Sequence, residues 1–557
     1  MQLPGAEILM ECLLEQGVDS IFGYPGGAVL PIYDALYKYR DKITHYLTSH
    51  EQGAAHAADG YARATGRIGV CLATSGPGAT NLVTGIATAY MDSSPMVAIT
   101  GNVPIALLGK DSFQEVDITG ITMPITKHNF IVKDVNRLAD TIRQAFYIAQ
   151  SGRPGPVLVD IPRDISVALS DYIKTPPRTI TRDDSASDAA LEEAVQILSK
   201  AQRPLIYSGG GVITSGASEK LAEFARLIDA NVCVSAMGIG GFSATSEQFI
   251  GMIGMHGTAT ANTLATECDL IIAIGARFSD RVVSNVKRFA PSAQVLHIDI
   301  DAAEINKNIL TTHSLIGDLK SVLSRLNALL SPQDRSDWRN RAKALKTEFP
   351  LRYKANNETL KPQYIIQRIS ALAANKAIIT TEVGQHQMWS CQYLQIEQPR
   401  RFLTSGGLGT MGFGLGASIG AAIGNSGTPV INIAGDGCFR MNNIELATAV
   451  EYNLPVIIVI INNHALGMVR QWQNMFFDKR YSHTSLHTKT TDFIKLAEAY
   501  GAMAINVDKP TDVDNAITRA LDAKQTVVIN FEVGDDDNVF PMVPPGAGID
   551  EYILEGE

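Results

Sequence analysis

Residues 431–463 read INIAGDGCFRMNNIELATAVEYNLPVIIVIINN, and this stretch decides the fold. Its pattern predicts a buried strand, a glycine turn, a helix and a second strand that ends at Asn462-Asn463. Asp436 follows the first strand and Asn463 ends the second, twenty-seven residues later. Because parallel strands of a right-handed βαβ unit deliver their carboxyl ends to one sheet edge, we expect the two side chains to converge.

A carboxylate and an amide oxygen at one sheet edge are suited to Mg²⁺, which completes its octahedron with phosphates and water. The main-chain carbonyl of Ala465 is placed to join Asp436 and Asn463 as a third ligand. Gly435 and Gly437 let the backbone approach a diphosphate, whose charge the helix N-terminus favours. Because Gly-Asp-Gly alone is usually a turn and Asn-Asn a loop, the prediction depends on both standing at strand ends.

Short β-branched runs, glycine turns and alanine-rich helices alternate along the chain, which predicts an α/β protein with three doubly wound parallel-sheet domains. Two polar segments interrupt this alternation and are interpreted as linkers. The expected division is a domain at 1–165, a linker at 166–188, a domain at 189–330, a linker at 331–360, a domain at 361–540 and a tail at 541–557.

The first and last domains contain similar patterns. Residues 70–99 read as a strand, Gly76-Pro77-Gly78, a helix and a second strand, as residues 431–461 do. Gene duplication and independent convergence both explain so short a likeness. The difference is informative, because only the later pattern has a carboxylate between its glycines.

Composition excludes several classes of protein. The 557 residues carry a formal net charge of −10 without a Lys/Arg run, which argues against a nucleic-acid partner. Apolar runs such as 454–461 are far shorter than the roughly 18 residues of a membrane span. The first residues lack the pattern of a signal or transit peptide, so we expect a cytoplasmic protein. Six scattered cysteines predict reduced, buried thiols.

Residues 407–412, GLGTMG, satisfy the pattern GxGxxG between a predicted strand at 402–405 and a helix. Alone this motif is weak, and it supports an alternative, a nicotinamide-dependent dehydrogenase. No acidic residue follows at the spacing of about 20 residues that a ribose hydroxyl requires, which disfavours that alternative.

Seven further stretches have the sequences YPGG, TSGPGATNL, FQE, SGRPGPV, GMIGMHG, VGQHQMW and GMVRQWQ, at Tyr24–Gly27, Thr74–Leu82, Phe113–Glu115, Ser151–Val157, Gly251–Gly257, Val383–Trp389 and Gly467–Gln473. Together with Gly-Asp-Gly and Asn-Asn, they resemble the catalytic subunits of the acetohydroxyacid (acetolactate) synthase family of thiamine-diphosphate enzymes. The spacing agrees along nearly the whole chain.

The resemblance implies that 1–165 binds the pyrimidine end of thiamine diphosphate and that 361–540 binds its diphosphate and Mg²⁺ through Asp436 and Asn463. Met411 would hold the two rings in a bent conformation. The implied cofactor-binding residues are Pro25, Gly26, Gly384, Gln385, His386, Gly409, Met411, Gly435, Gly437, Gly467 and Met468. The family builds each active site from two subunits, so we expect a homodimer or a dimer of dimers, with a small regulatory subunit as a further partner.

Glu51 is the candidate acid. It follows a predicted strand at 43–47 and opens a small-residue helix, with Ser49 and Gln52 spaced as a capping box. Its ordinary interpretation is a first-turn glutamate stabilised by the helix dipole. Because thiamine is activated by proton transfer through its aminopyrimidine, it needs a carboxyl group at the ring nitrogen, and the motif around Glu51 matches the family.

The family decarboxylates pyruvate and transfers the two-carbon unit to pyruvate or 2-ketobutyrate, the first common step of branched-chain amino-acid biosynthesis. Related decarboxylases use a His-His pair to protonate their intermediate, whereas Phe113 and Gln114 stand here. By resemblance, Trp472 shapes the acceptor pocket, Arg281 holds the acceptor carboxylate and Val383 contacts the donor. A core tryptophan, a surface arginine and a strand valine are the ordinary alternatives.

The middle domain has the pattern of a dinucleotide fold, and by resemblance it binds FAD. The implied FAD-binding residues are Arg153, Gly209, Gly210, Gly211, Met255, His256, Gly275, Arg277, Asp299 and Asp318. Ser279, Arg163 and Gly416 depart from the family pattern, and Ser279 lies within its FAD motif. One alternative is therefore an FAD-independent catabolic acetolactate synthase. A separate alternative is a scaffold paralogue that has lost the reaction, which the presence of Glu51, Asp436 and Asn463 disfavours.

Overall fold

The computed structural model describes residues 1–180, 186–354, 359–373, 375–486, 491–535 and 537–554. Three six-stranded parallel sheets flanked by helices make up most of these ranges, so the predicted α/β class is confirmed. Of the predicted linkers and tail, residues 181–185, 355–358 and 555–557 lie outside the described residues.

The first sheet has the strand order β3-β2-β4-β5-β7-β6, and β1 pairs with β8 in a separate ribbon. Its strands β4 and β5 are buried along their whole length, as parallel strands covered on both faces must be. The strands are β1 (Gln2–Pro4), β2 (Ser20–Gly23), β3 (Thr44–Leu47), β4 (Gly69–Ala73), β5 (Met96–Asn102), β6 (His128–Ile131), β7 (Pro156–Pro162) and β8 (Leu169–Asp171). The helices are α1 (Gly5–Glu15), α2 (Leu30–Lys38), α3 (Glu51–Thr65), α4 (Pro77–Asn81), α5 (Val83–Met91), α6 (Ile118–Thr122), α7 (Leu138–Gln150) and α8 (Arg163–Val167).

The middle sheet has the order β11-β10-β9-β12-β13-β14, which is the order of dinucleotide-binding folds. Its crevice lies between β9 and β12, where the chain reverses its direction of winding. The strands are β9 (Pro204–Ser208), β10 (Asn231–Val234), β11 (Phe249–Met252), β12 (Leu270–Ile274), β13 (Gln294–Asp299) and β14 (His313–Ile316). The helices are α9 (Asp188–Lys200), α10 (Gly210–Ser215), α11 (Ser218–Leu227), α12 (Ala259–Glu267), α13 (Asp280–Val283), α14 (Leu319–Leu329) and α15 (Ser336–Glu348).

The last sheet has the order β16-β15-β17-β18-β20-β19, the same spatial order as the first sheet. The similarity of the two patterns therefore extends to whole domains. The strands are β15 (Ile378–Thr381), β16 (Phe402–Leu403), β17 (Val430–Gly435), β18 (Val456–Asn462), β19 (Met503–Val507) and β20 (Val527–Glu532). The helices are α16 (Pro362–Ala373), α17 (Gln385–Tyr393), α18 (Phe413–Gly424), α19 (Asp436–Asn442), α20 (Leu446–Glu451), α21 (Gly467–Phe476), α22 (Phe493–Ala499) and α23 (Val513–Asp522).

Small residues join the first and last domains. A Cβ atom at Gly60 of α3 would lie 2.2 Å from the Ala417 carbonyl oxygen of α18, and one at Gly420 would lie 1.8 Å from the Ala57 oxygen. Because these helix backbones touch, α3 and α18 hold the two domains in a fixed relation.

Three segments have more structure than their patterns predicted. The 331–360 segment contains α15, whose buried Trp338 donates its indole N–H to the Pro204 carbonyl at 2.9 Å. The 166–188 segment contains β8. The tail packs on the middle domain through buried Ile549. Conversely, the strand predicted at 402–405 comprises only Phe402–Leu403.

All six cysteines are free and buried, which confirms that prediction. Among the described residues, no helix is long and apolar enough to cross a membrane.

Candidate functional site

The tips of β17 and β18 form one corner of the last sheet. These strands are parallel neighbours in which Gly435 pairs with Ile461, so Asp436 and Asn463 follow adjacent strands at one edge. Asp436 begins α19. The expected juxtaposition of the two strand ends is therefore present.

The burial of the Asp436 carboxylate is only partly offset, by the nearby Gly437 N–H and the charge of Arg440. Asp436 is 1% exposed, and neither carboxylate oxygen has a hydrogen-bond partner among the described residues. Burial raises the pKa of Asp436 to about 6. Since buried polar atoms are nearly always paired, two orphaned oxygens fit a cation held at this position.

Neighbouring residues enclose the same corner. The Asn463 amide donates to Gln385 Oε1 at 3.3 Å, and its oxygen accepts the Ala465 N–H at 3.2 Å. A Cβ atom at Gly467 would lie 2.0 Å from Gln385 Oε1, and one at Gly435 would lie 2.9 Å from His386 Nδ1. The two glycines are therefore required by close packing.

Two helix N-termini reach this corner, because α17 begins at Gln385 and α21 begins at Gly467. Their unpaired N–H groups favour an anion. His386 is buried with Nε2 unpartnered among the described residues, and burial lowers its pKa to about 3, so its ring is a neutral donor or acceptor. Met411 reaches the same corner, since its Cε lies 3.9 Å from a Cβ atom built on Gly437. The donor set fits a magnesium diphosphate.

Glu51 begins α3 in the first domain and is buried. Asn81 donates its amide to Glu51 Oε2 at 2.9 Å, and Oε1 lies 3.1 Å from a Cβ atom built on Gly78. The predicted capping box is wrong. His50 Nδ1 caps the helix by accepting the Gln52 N–H, because the Ser49 hydroxyl is bound to the Ile444 carbonyl of the last domain.

Gly26 and Gln114 of the first domain pack against the loop that follows β4, where a Cβ atom at Gly76 would lie 2.8 Å from the Gln114 carbonyl oxygen. Gly26, which follows Pro25, packs on Thr74, where a Cβ atom would lie 2.5 Å from its side chain. Gln114 adopts a left-handed backbone with φ of 57°. Phe113 is 87% exposed, so the predicted apolar wall faces away from its own chain.

A cavity of about 1770 Å³ lies where the three domains meet, and residues of each domain line it. It gathers all ten residues predicted to bind FAD, together with six others that the sequence identified, namely Arg281, Val383, Gly384, Gly409, Met468 and Trp472. Glu51, Phe113 and Gln114 do not line this cavity. Within one chain, the predicted acid and apolar wall are therefore separated from the predicted acceptor pocket.

The glycines of the middle domain pack against one another. A Cβ atom at Gly209 would lie 2.1 Å from the Gly275 oxygen, and one at Gly211 would lie 2.8 Å from the Gly275 Cα. This close approach opens the crevice beyond β9 and β12. At its far end Arg153 pairs with Glu304 at 2.7 Å, and burial raises the pKa of Asp299 to about 6.

Sequence reasoning missed several buried charges. Glu382 accepts two main-chain N–H groups at the start of α18, Glu445 accepts two before α3, and Arg63 joins Asp59 and Asp92. A carboxylate at the end of an apolar strand, such as Glu382, was a usable signal. The i,i+4 spacing of Asp59 and Arg63 on α3 was also a usable signal, whereas the contact with Asp92 was not predictable because it joins separate elements.

Comparison with known proteins extends over the whole chain. Family models match at residues 3–121 (thiamine pyrophosphate enzyme, N-terminal TPP binding domain), 191–326 (central domain) and 382–531 (C-terminal TPP binding domain). A probable acetolactate synthase large subunit from Methanocaldococcus jannaschii is 45% identical over 99% of this chain and 95% of its own. An acetolactate synthase large subunit from Corynebacterium glutamicum is 47% identical over 98% of this chain and 89% of its own.

Proposed function

Because this chain belongs to the acetolactate synthase large-subunit family of thiamine pyrophosphate enzymes, we propose that it makes acetolactate from two molecules of pyruvate. One pyruvate loses CO₂, and the remaining two-carbon unit joins the second. The observation that carries the proposal is the pair of unpartnered Asp436 oxygens beside Asn463, in a corner that fits a magnesium diphosphate. We further propose 2-ketobutyrate as a second acceptor, in branched-chain amino-acid biosynthesis.

Asp436, Asn463 and the Ala465 carbonyl would hold Mg²⁺, and the N-termini of α17 and α21 would face the diphosphate. Bound thiamine diphosphate supplies an electron sink for decarboxylation of a 2-keto acid. Met411 and Gly409 would lie beneath its rings. Because the corner is buried, water is excluded and each charge interaction is strengthened.

Glu51 would exchange a proton with the pyrimidine nitrogen of the cofactor. Asn81 occupies one carboxylate oxygen of Glu51, so the other is oriented for the ring. The Glu51 carboxyl would therefore present one defined oxygen without a further loss of side-chain entropy.

A second copy of the chain would complete the site. Glu51 and Phe113 do not line the cavity that contains Val383 and Trp472. Exposed apolar side chains accompany Phe113 at the edge of the first sheet, namely Tyr24, Leu107, Ile121 and Met123. We therefore propose a homodimer or dimer of dimers in the cytoplasm, to which a small regulatory subunit binds.

In that assembly Phe113 and Gln114 would exclude a proton donor from the reacting carbon, which favours carbon–carbon bond formation over simple decarboxylation. Trp472 and Val383 would bound the acceptor and donor positions. Arg281, whose side chain is 68% exposed in the cavity, would bind the acceptor carboxylate.

FAD would occupy the crevice of the middle domain, where the ten predicted residues line the cavity. We also propose that the three domains have the boundaries predicted from the sequence. A flavin distinguishes a biosynthetic synthase from a catabolic one, so purified protein that is yellow and releases FAD supports the biosynthetic assignment. Colourless active protein supports the catabolic alternative.

The direct test of the activity is incubation of purified protein with pyruvate, Mg²⁺ and thiamine diphosphate. We expect acetolactate and CO₂ in equal amounts, and acetohydroxybutyrate when 2-ketobutyrate is added. Folded protein that binds cofactor but forms neither product would favour the scaffold paralogue.

A further inference from the structure

The carboxylate of Glu382 lies under the loop that carries Met411, at the start of α18. Its Oε2 accepts the Gly412 N–H at 2.7 Å and its Oε1 accepts the Leu415 N–H at 3.2 Å. Gly412 is the N-terminal cap of the helix and has no side chain with which to bind these groups. Glu382, which directly follows β15, therefore supplies the cap that α18 lacks.

The residues around Glu382 pack closely against its carboxylate. Glu382 is fully buried, and a Cβ atom at Gly414 would lie 3.0 Å from Glu382 Oε1 and 2.3 Å from Asn432 Oδ1. Burial raises the pKa of Glu382 to about 7 although its main-chain hydrogen bonds lower it. A buried carboxylate is costly, and hydrogen bonds to main-chain N–H groups offset that cost.

Met411 is thus fixed on both sides. Before it, the Thr410 N–H donates to Ser405 Oγ at 3.0 Å and the Thr410 hydroxyl bonds to that of Thr88 at 2.7 Å. After it, Gly412 is bound by Glu382 and adopts a φ of 89°, which favours glycine.

We propose that Glu382 is a positioning residue that holds Met411 against the thiamine diphosphate rings. The proposal rests on the proposed function, and Glu382 acts through Met411 without touching the reacting atoms. A glutamine at 382 has one acceptor oxygen, and its amide nitrogen would face the second N–H group, so the helix start and Met411 would shift.

The test is a double-mutant cycle on the holoenzyme with Glu382→Gln and Met411→Ala. We expect Glu382→Gln to lower kcat about 10-fold in the wild-type background but less than about 3-fold when Met411 is already alanine. Equal fold losses in both backgrounds would overturn the proposal. If the wild type itself formed no acetolactate, the proposed function would fail instead.

Glu445→Gln is the matched control. Glu445 is also a buried carboxylate that accepts two main-chain N–H groups, from Ser49 and His50 at 3.1 and 3.0 Å, but these precede α3. Whatever the size of the change in kcat that Glu445→Gln causes, we expect the fold change to be the same whether residue 411 is methionine or alanine. Non-additivity for both glutamates would contradict a specific action of Glu382.

Hydrogen exchange on cofactor-free protein gives a readout independent of activity. In Glu382→Gln we expect amides at 405–415 to exchange about 10-fold faster or more, with 436–463 unchanged, whereas Glu445→Gln should affect 49–56. Unchanged exchange at 405–415 would overturn the proposal. If Glu382→Gln does not fold, Glu382→Met, which removes the buried charge at similar volume, takes its place in both experiments.

Discussion

The first and last domains share one architecture and differ at the residue between two glycines. Their sheets have the same strand order. In both sheets the fourth strand in spatial order, β5 or β18, ends at an asparagine whose amide donates to a carboxylate on the neighbouring strand. Asn102 donates to Asp160 at 2.6 Å, and Asn462 donates to Glu532 at 3.1 Å. Even polar contacts at the strand tips are therefore repeated.

Between the glycines, the first domain has Pro77 and the last has Asp436. The proline begins α4, whereas the aspartate begins α19 with two unpartnered oxygens. The acid of the first domain stands instead at Glu51, paired with Asn81. Under the proposed function, a common scaffold would receive either end of an elongated cofactor, and Asp436 would be one of the residues that give only the last domain a metal site.

Asp436→Asn tests this difference between the domains, and we expect it to have the largest effect on activity. The amide keeps the shape of the carboxylate but loses the charge that Mg²⁺ requires, so we expect kcat/KM to fall by about 10³-fold or more. Calorimetric titration with Mg²⁺ and thiamine diphosphate should detect no tight binding, while the metal-free variant stays folded. Asp514→Asn, which breaks a surface pair with Arg368, is the control. Normal binding by Asp436→Asn would remove the metal site from this corner.

Glu51→Gln tests the other domain. We expect turnover to fall by about 10²-fold, because the pyrimidine nitrogen loses its proton partner. The same titration should give near-wild-type binding, since Asp436 and Asn463 remain. Near-normal turnover would remove Glu51 from the reaction. Loss of binding would mean that the first domain is also needed to bind the magnesium diphosphate.

Asp160→Asn tests the strand-tip carboxylate of the first domain through the pH dependence of protein stability. Burial raises the pKa of Asp160 to about 6 from an ordinary 3.8. A raised folded-state pKa gives stability that is present below about pH 4 and lost as pH rises through 6, by about 3 kcal/mol at most. The asparagine variant should lack this decline when thermal unfolding is followed from pH 4.5 to 7. Identical pH profiles for variant and wild type would contradict the assignment.

Local sequence patterns were sufficient to predict the features of this molecule that depend on residues close together in the chain. Alternating strands and helices fixed the class, and strand ends 27 residues apart brought Asp436 to the same edge as Asn463. The capping box at Ser49 failed because a carbonyl almost 400 residues away competes for its hydroxyl. Such long-range partners, like those of Glu382, leave no trace in sequence spacing.

The most direct measurement is complementation between two strongly impaired variants, Glu51→Gln and Asp436→Asn, co-expressed and purified together. If Glu51 of one chain serves Asp436 of another, each mixed dimer contains one intact site, and random pairing should restore about one quarter of wild-type activity. Each variant alone should retain about 1% of wild-type activity or less. Activity no higher than that of the separate variants would contradict a site shared between the first domain of one chain and the last domain of its partner.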